Sequence, residues 1–238
     1  DRPLETRMPP KRPALSSSIG STTVMALTGL GLLGFVLVHM LGNLQIYAGP
    51  DKLNAYAKTL QDLGPILWVM RAGVAALFLV HILSAFAIVR ANRAARPVAY
   101  VGRKDQVTTY AASTMIYSGL IVLAFVAFHL LHLTLGVTHP AHYASRTPTG
   151  GHDVYTMVVL GFQQAPVAIA YVVAQAVLCL HLSHGASSAF QTLGVTHPRL
   201  AFLKAGFGKA VAAVIFVGNV SIPLSVLAGL VKLPAGAQ

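Results

Sequence analysis

Five apolar runs decide what this chain can fold into. They occupy roughly residues 24–47, 66–89, 110–137, 154–190 and 207–231, and the only charged side chains inside them are Arg71 and Lys209. Each reaches the ~20 residues an α-helix needs to cross a bilayer. None shows the period-two alternation of a lipid-facing barrel strand, so helices are expected. Only 10% of the 238 residues are charged, against about 25% in an ordinary soluble domain. With a mean hydropathy of +0.67, the expected fold class is all-α: an integral membrane bundle of five transmembrane helices. Residues 1–22 are expected to form a tail and residues 23–238 the bundle, the fourth run having slack at its start.

Basic residues set the direction of such a bundle, because they collect on the cytoplasmic side. One side holds Arg2, Arg7, Lys11 and Arg12 before the first span, Arg90, Arg93, Arg96, Arg103 and Lys104 after the second, and Arg199, Lys204 and Lys209 before and at the start of the fifth. The other side holds only Lys52, Lys58, Arg71, Arg146 and Lys232. The N-terminus is therefore expected in the cytoplasm and the C-terminus outside.

The same placement disposes of nucleic acid as a partner. A net charge of +11 invites that reading, yet the charges flank apolar runs instead of covering one face. Cys179 is the single cysteine, which rules out an intrachain disulfide or a thiolate metal site. The opening "DRPLETRMPPKRPALSSSIG" is polar and Pro-rich, without the apolar core of a cleavable signal, and reads as a cytoplasmic tail. No repeat of fixed period is evident.

Histidine is the unexpected residue. The stretch "GLLGFVLVHMLGNLQ" carries His39 in the middle of the first span, and His81, His129, His132, His181 and His184 lie within the next three. An imidazole in hydrocarbon needs a polar partner. One alone needs no more than a hydrogen bond to a neighbouring helix. Histidines on four helices suit a different role: neutral imidazole is the common axial ligand of haem iron, and bundles build cofactor sites from facing helices.

Helix rise sorts them by depth. Counted from the cytoplasmic edge, His39 lies roughly 24 Å deep and His129 roughly 27 Å, while His81 and His184 lie roughly 13 and 10 Å deep. An outer pair, His39 with His129, and an inner pair, His81 with His184, would each clamp one iron. Spacing does not choose within "FHLLHLT" or "LHLSHG", because residues three apart share a helix face. Without a C-x-x-C-H motif the haems would be b-type. Zinc would want ligands at one depth, and carboxylate-bridged iron would want acids within the spans, where the sequence has none. Gly29, Gly31, Gly34, Gly42, Gly119 and Gly185 would let a flat macrocycle approach the helices, as they also serve ordinary helix packing. Arg71, Arg90 and Arg93, near span ends, are candidates for propionate partners or for snorkelling anchors.

Five spans, histidines on the first four, and the stretches "TGLGLLGFVLVHMLGNL", "NAYAKTL" and "LWVMRAGVAALFLVHILSAFAIVRANRAARPVAY" resemble the dihaem cytochrome b membrane anchor (type B) of succinate dehydrogenase/fumarate reductase. The resemblance covers nearly the whole chain. It implies His39 and His129 as ligands of a distal haem b, since the family's third ligand stands ten residues after a helix glycine, as His129 does after Gly119. It implies His81 and His184 for a proximal haem b, since the fourth ligand is followed by glycine, as His184 is by Gly185. His132 and His181 are then second-layer candidates. Asp62 is the nearest counterpart of an acid that one family member uses in quinol oxidation.

The resemblance further implies a flavoprotein and an iron–sulfur subunit docked on the cytoplasmic face, with electrons passing to a quinone, menaquinone above all. Dicarboxylate chemistry would belong to the partner chain, the location would be the bacterial plasma membrane, and the complex is a candidate for higher oligomers. The competing readings are the dihaem subunit of a hydrogenase or formate dehydrogenase, a histidine-relay transporter, and a haem-free anchor.

Overall fold

The computed structural model describes residues 18–95, 114–195, 197–200 and 206–234. The basic residues of the tail, together with Arg96, Arg103, Lys104 and Lys204, lie outside the described residues. So does the expected start of the third span, at 110–113.

Among the described residues all regular structure is helical, with one isolated bridge between Arg146 and His152. The spans are α1 (Ser18–Asn43), α3 (Pro65–Ala94), α4 (Met115–His129), α7 (Ala165–Thr192) and α8 (Phe207–Leu227), and all five are long and apolar enough to cross a membrane once the irregular turns that extend α1 and α4 are included. The chain has the architecture of a multi-pass membrane protein. Much of its apolar surface faces outward: α3 buries no residue, and Trp68 and Val69 are 67% and 72% exposed. In water such a surface would drive association; in a bilayer it meets lipid tails.

Side-chain contacts fix the directions of the helices. Thr28 and Met25, early in α1, meet His81, late in α3. Ser118, early in α4, meets His181, late in α7, and His129, at the end of α4, meets Tyr171, near the start of α7. Tyr47, just past α1, bonds Ser225, near the end of α8, at 2.9 Å. Hence α1, α4 and α8 run one way and α3 and α7 the other. We call the end where α1 starts the near end and the opposite one the far end.

Helices α7 and α8 form the most intimate pair. A Cβ at Gly208 would collide with the carbonyl of Ser183 and the hydroxyl of Ser187, and the Gly208 N–H donates to that hydroxyl at 3.0 Å. Farther along, Asn219 donates to Gln175 at 3.0 Å, which pairs two amides within the apolar bundle. Helix α1 packs against α3 and α7, and α4 packs against α7. By contrast, α1 scarcely touches α4, and α3 scarcely touches α7 or α4.

The far end is closed by further helices between the spans. Gly49, at φ 94°, turns the chain out of a 3₁₀ turn (Leu44–Ala48) into α2 (Pro50–Asp62). Pro50 and Asp51 start this helix as proline and acid do in a first turn. The expected single fourth span over 154–190 is instead two helices, α6 (Val154–Gln163) and α7, preceded by the single turn α5 (Pro140–Tyr143). The break lies at Gln164, whose φ −79° and ψ 102° are extended. Pro166 in the first turn of α7 cannot donate back and clashes with a preceding helix. At ten residues α6 is too short to span. The main core sits here, where Ile46, Leu53, Val159, Phe162, Tyr171 and Ile222 are buried together.

Candidate haem-ligand pairs

The third span does not end as a plain α-helix. Residues Leu130–Thr134 form a π turn, with the Leu135 N–H bonded to the Leu130 carbonyl at 2.8 Å. Such widened turns rotate the side chains that flank them and recur at functional sites. Here the turn separates His129, at its start, from His132, inside it.

His129 faces His39 across the space between α4 and α1, with ring centroids 5.8 Å apart and ring planes at 89°. His81 faces His181 across the space between α3 and α7, at 6.4 Å and 73°. An imidazole nitrogen sits about 2 Å from a first-row metal, so two imidazoles on one iron hold their centroids about 6 Å apart. Both pairs meet that requirement, and both bridge helices that otherwise scarcely touch. His39 is exposed and His81, His129 and His181 are half-buried, so none is packed away by protein.

The hydrogen bonds of the second pair fix the tautomer of His81 and suit the same one in His181. His81 Nδ1 lies 3.2 Å from the Met25 carbonyl, which can only accept, so Nδ1 carries the proton. Thr28 Oγ1 lies 3.3 Å away and has given its own proton to the backbone at Val24, so it too accepts. His181 Nδ1 lies 3.1 Å from Ser118 Oγ; with the Ser118 hydroxyl turned to the Met115 carbonyl at 3.0 Å, this imidazole also donates from Nδ1. Each ring is left with a bare Nε2, the arrangement of a metal-ligating histidine anchored through its other nitrogen. Small residues make the room. A Cβ at Gly29 would stand 3.2 Å from His81 Cε1, and one at Gly119 would stand 3.5 Å from His181 Cε1.

The two pairs lie at different heights. His39 is eleven residues from Thr28 on α1, and His129 is eleven residues from Ser118 on α4. Both helices therefore put the two levels about 16 Å apart. Among the described residues no three His, Cys, Asp or Glu side chains converge as a metal-binding group. The arrangement is two-ligand clamps, which suits a macrocycle that supplies the other four donors.

The remaining candidates fall elsewhere. His184, expected opposite His81, stands one turn nearer the near end and has no ring contact with it; the ring that faces His81 is His181. The glycine that follows His184 meets Met115 at an ordinary 3.7 Å, whereas the glycine against the His181 imidazole is Gly119. His132 is 2% exposed and packs against Phe128, Phe162, Tyr171 and His139. Arg71 is exposed and lies over the Trp68 ring at 4.9 Å, and Arg90 and Arg93 are exposed at the near end of α3. Asp62 is exposed and paired with Lys58 at 2.8 Å within α2. Sequence reasoning missed Thr28, Ser118 and Tyr171. The signal was available, since each is a polar side chain inside an apolar span and must find a partner.

Comparison with protein-family models, with curated proteins and with solved structures finds no match to this chain.

Proposed function

We propose that this chain is the dihaem cytochrome b anchor of a succinate:quinone oxidoreductase, embedded in a bacterial plasma membrane. The observation that carries the haem part is the pair of facing imidazoles at each of two levels, 5.8 and 6.4 Å between centroids. His39 with His129 would hold one iron and His81 with His181 the other. When bound, two b haems supply one-electron carriers along the bundle, between an iron–sulfur partner and a quinone.

The chain's own residues hold and orient. Met25, Thr28 and Ser118 keep the near-end imidazoles in the tautomer that presents Nε2. Phe35 stacks on His39 at 5.4 Å and Phe125 lies beside His129 at 5.9 Å, which limits how far either ring can turn. Within a bilayer the apolar helices around both levels would keep bulk water away.

The assignment to succinate oxidation or fumarate reduction rests on the resemblance in the sequence and on the placement of basic residues. By the positive-inside rule the near end would face the cytoplasm, where a flavoprotein and an iron–sulfur subunit would dock, and menaquinone is the quinone this reading implies. Dithionite-reduced minus oxidised spectra of the purified complex, with haem counted per chain, test the first part. Two low-spin b haems per chain are expected, and none or one would refute the clamps. Co-purification of a flavoprotein with succinate:quinone activity tests the second; a hydrogenase or formate dehydrogenase partner would replace it.

A further inference from the structure

The two clamps are anchored differently. At the near end the hydrogen bonds that hold the imidazoles stop at the backbone, on the carbonyls of Met25, Val24 and Met115. At the far end they do not stop. The hydroxyl of Tyr171 lies 3.3 Å from His129 Nδ1 and 3.0 Å from His132 Nδ1. A phenol has one proton and serves both rings by accepting from one and donating to the other. If His129 gives its Nε2 to iron, its proton is on Nδ1. The phenol oxygen then accepts that proton and the phenol O–H donates to His132.

We propose that Tyr171 is the positioning residue of the far-end clamp: its hydroxyl holds His129 in the iron-binding tautomer and joins His132 to the ligand as a second layer. The inference rests on the haem reading above and deepens it. The phenol is fixed in place. Its ring is 6% exposed and is met edge-on by Phe125 at 5.0 Å and Phe162 at 4.8 Å, with Phe128 at 5.9 Å. These contacts belong to the ring and survive loss of the hydroxyl. His132 is equally confined, because a Cβ at Gly161 would approach its Nε2 to 2.9 Å, so only glycine leaves it this place.

An acceptor on Nδ1–H raises the basicity of the imidazole and so favours ferric iron. Donation onward to His132 polarises the phenol oxygen and strengthens its acceptance from His129. Tyr171→Phe should therefore raise the midpoint potential of the far-end haem and alter its low-spin ferric resonance, with the near-end haem unchanged. His132→Leu, at a residue that would not touch the iron, should shift the far-end haem in the same direction by less.

Redox titration with low-temperature electron paramagnetic resonance, on the whole complex, reads both variants against wild type. A far-end potential unmoved in both variants, or a shift shared equally by the two haems, overturns the proposal. So does loss of the far-end haem from Tyr171→Phe accompanied by an unshifted His132→Leu. The haem count of the wild-type complex separates the two failures: fewer than two haems sinks the dihaem reading, and the role of Tyr171 with it.

Discussion

His81 and His181 face one another across the space between α3 and α7, and the Nδ1 of each lies against an oxygen of the helix beside it, the Met25 carbonyl of α1 for the first and Ser118 Oγ of α4 for the second. Four helices therefore meet at this pair, two carrying the proposed ligands and two carrying the oxygens that would aim them. The consequence is a test that separates two residues one turn apart. His81→Ala and His181→Ala are each expected to remove the near-end haem and leave the other, giving one haem per chain by pyridine haemochrome assay. His184→Ala is expected to retain both. Loss of a haem from His184→Ala with none lost from His181→Ala would reverse the assignment.

That choice marks where the sequence ceases to be legible. Five spans follow from hydropathy alone, and the two depths of histidine follow from helix rise. His181 and His184 differ by three residues and share a face, so what separates them is the height and rotation at which α3 delivers His81. Those depend on packing between helices distant in the chain. The glycine rule favoured His184, yet the glycine in contact with the His181 imidazole is Gly119, on a different helix. The break at Gln164 was readable from Pro166 but was hidden by an unbroken apolar run. The helix α2 was likewise readable from Pro50, Asp51 and the spacing of Leu53, Tyr56 and Leu60, and was hidden because polar connections are read as loops.

Room for the near-end imidazoles depends on glycine. At Gly119 a Cβ would make ordinary contact with His181, so Gly119→Ala should keep both haems. A branched side chain would reach into the ring, so Gly119→Leu should lose the near-end haem and retain the far-end one. Absorbance in the α-band at low temperature distinguishes these outcomes, and equal loss of both haems would mean general misfolding instead.

Outside the spans, Asp153 ties α6 to α2. Its carboxylate accepts from the Thr156 N–H at 3.0 Å, the Thr156 hydroxyl at 2.8 Å and Asn54 Nδ2 at 2.9 Å. Burial alone would raise its pKa, but these donors outweigh burial and hold it below the ordinary 3.8. A carboxyl depressed in the folded state adds stability that is present in full above its unfolded pKa and is lost as pH falls through the folded one. Asp153→Ala should cost about 1 kcal/mol near neutral pH, and its deficit against wild type should narrow below pH ~4. Thermal unfolding in detergent at the two pH values measures this, and a deficit that is constant or grows in acid would contradict it.

The near-end clamp predicts an asymmetry between its two anchors. His181 has one acceptor for its Nδ1 proton, Ser118, whereas His81 has two, the Met25 carbonyl and Thr28. Ser118→Ala removes the whole of the first set; Thr28→Ala leaves the carbonyl in place. A hydrogen bond of this kind is worth about 1 kcal/mol net. If all of it distinguished ferric from ferrous iron, it would convert to about 40 mV at 59 mV per tenfold change for one electron. Ser118→Ala should therefore raise the near-end midpoint potential by up to about 40 mV, Thr28→Ala by clearly less, and neither should move the far-end haem. Potentiometric titration of both variants decides it: a larger shift for Thr28→Ala would mean that the carbonyl of Met25 is not the principal acceptor of His81.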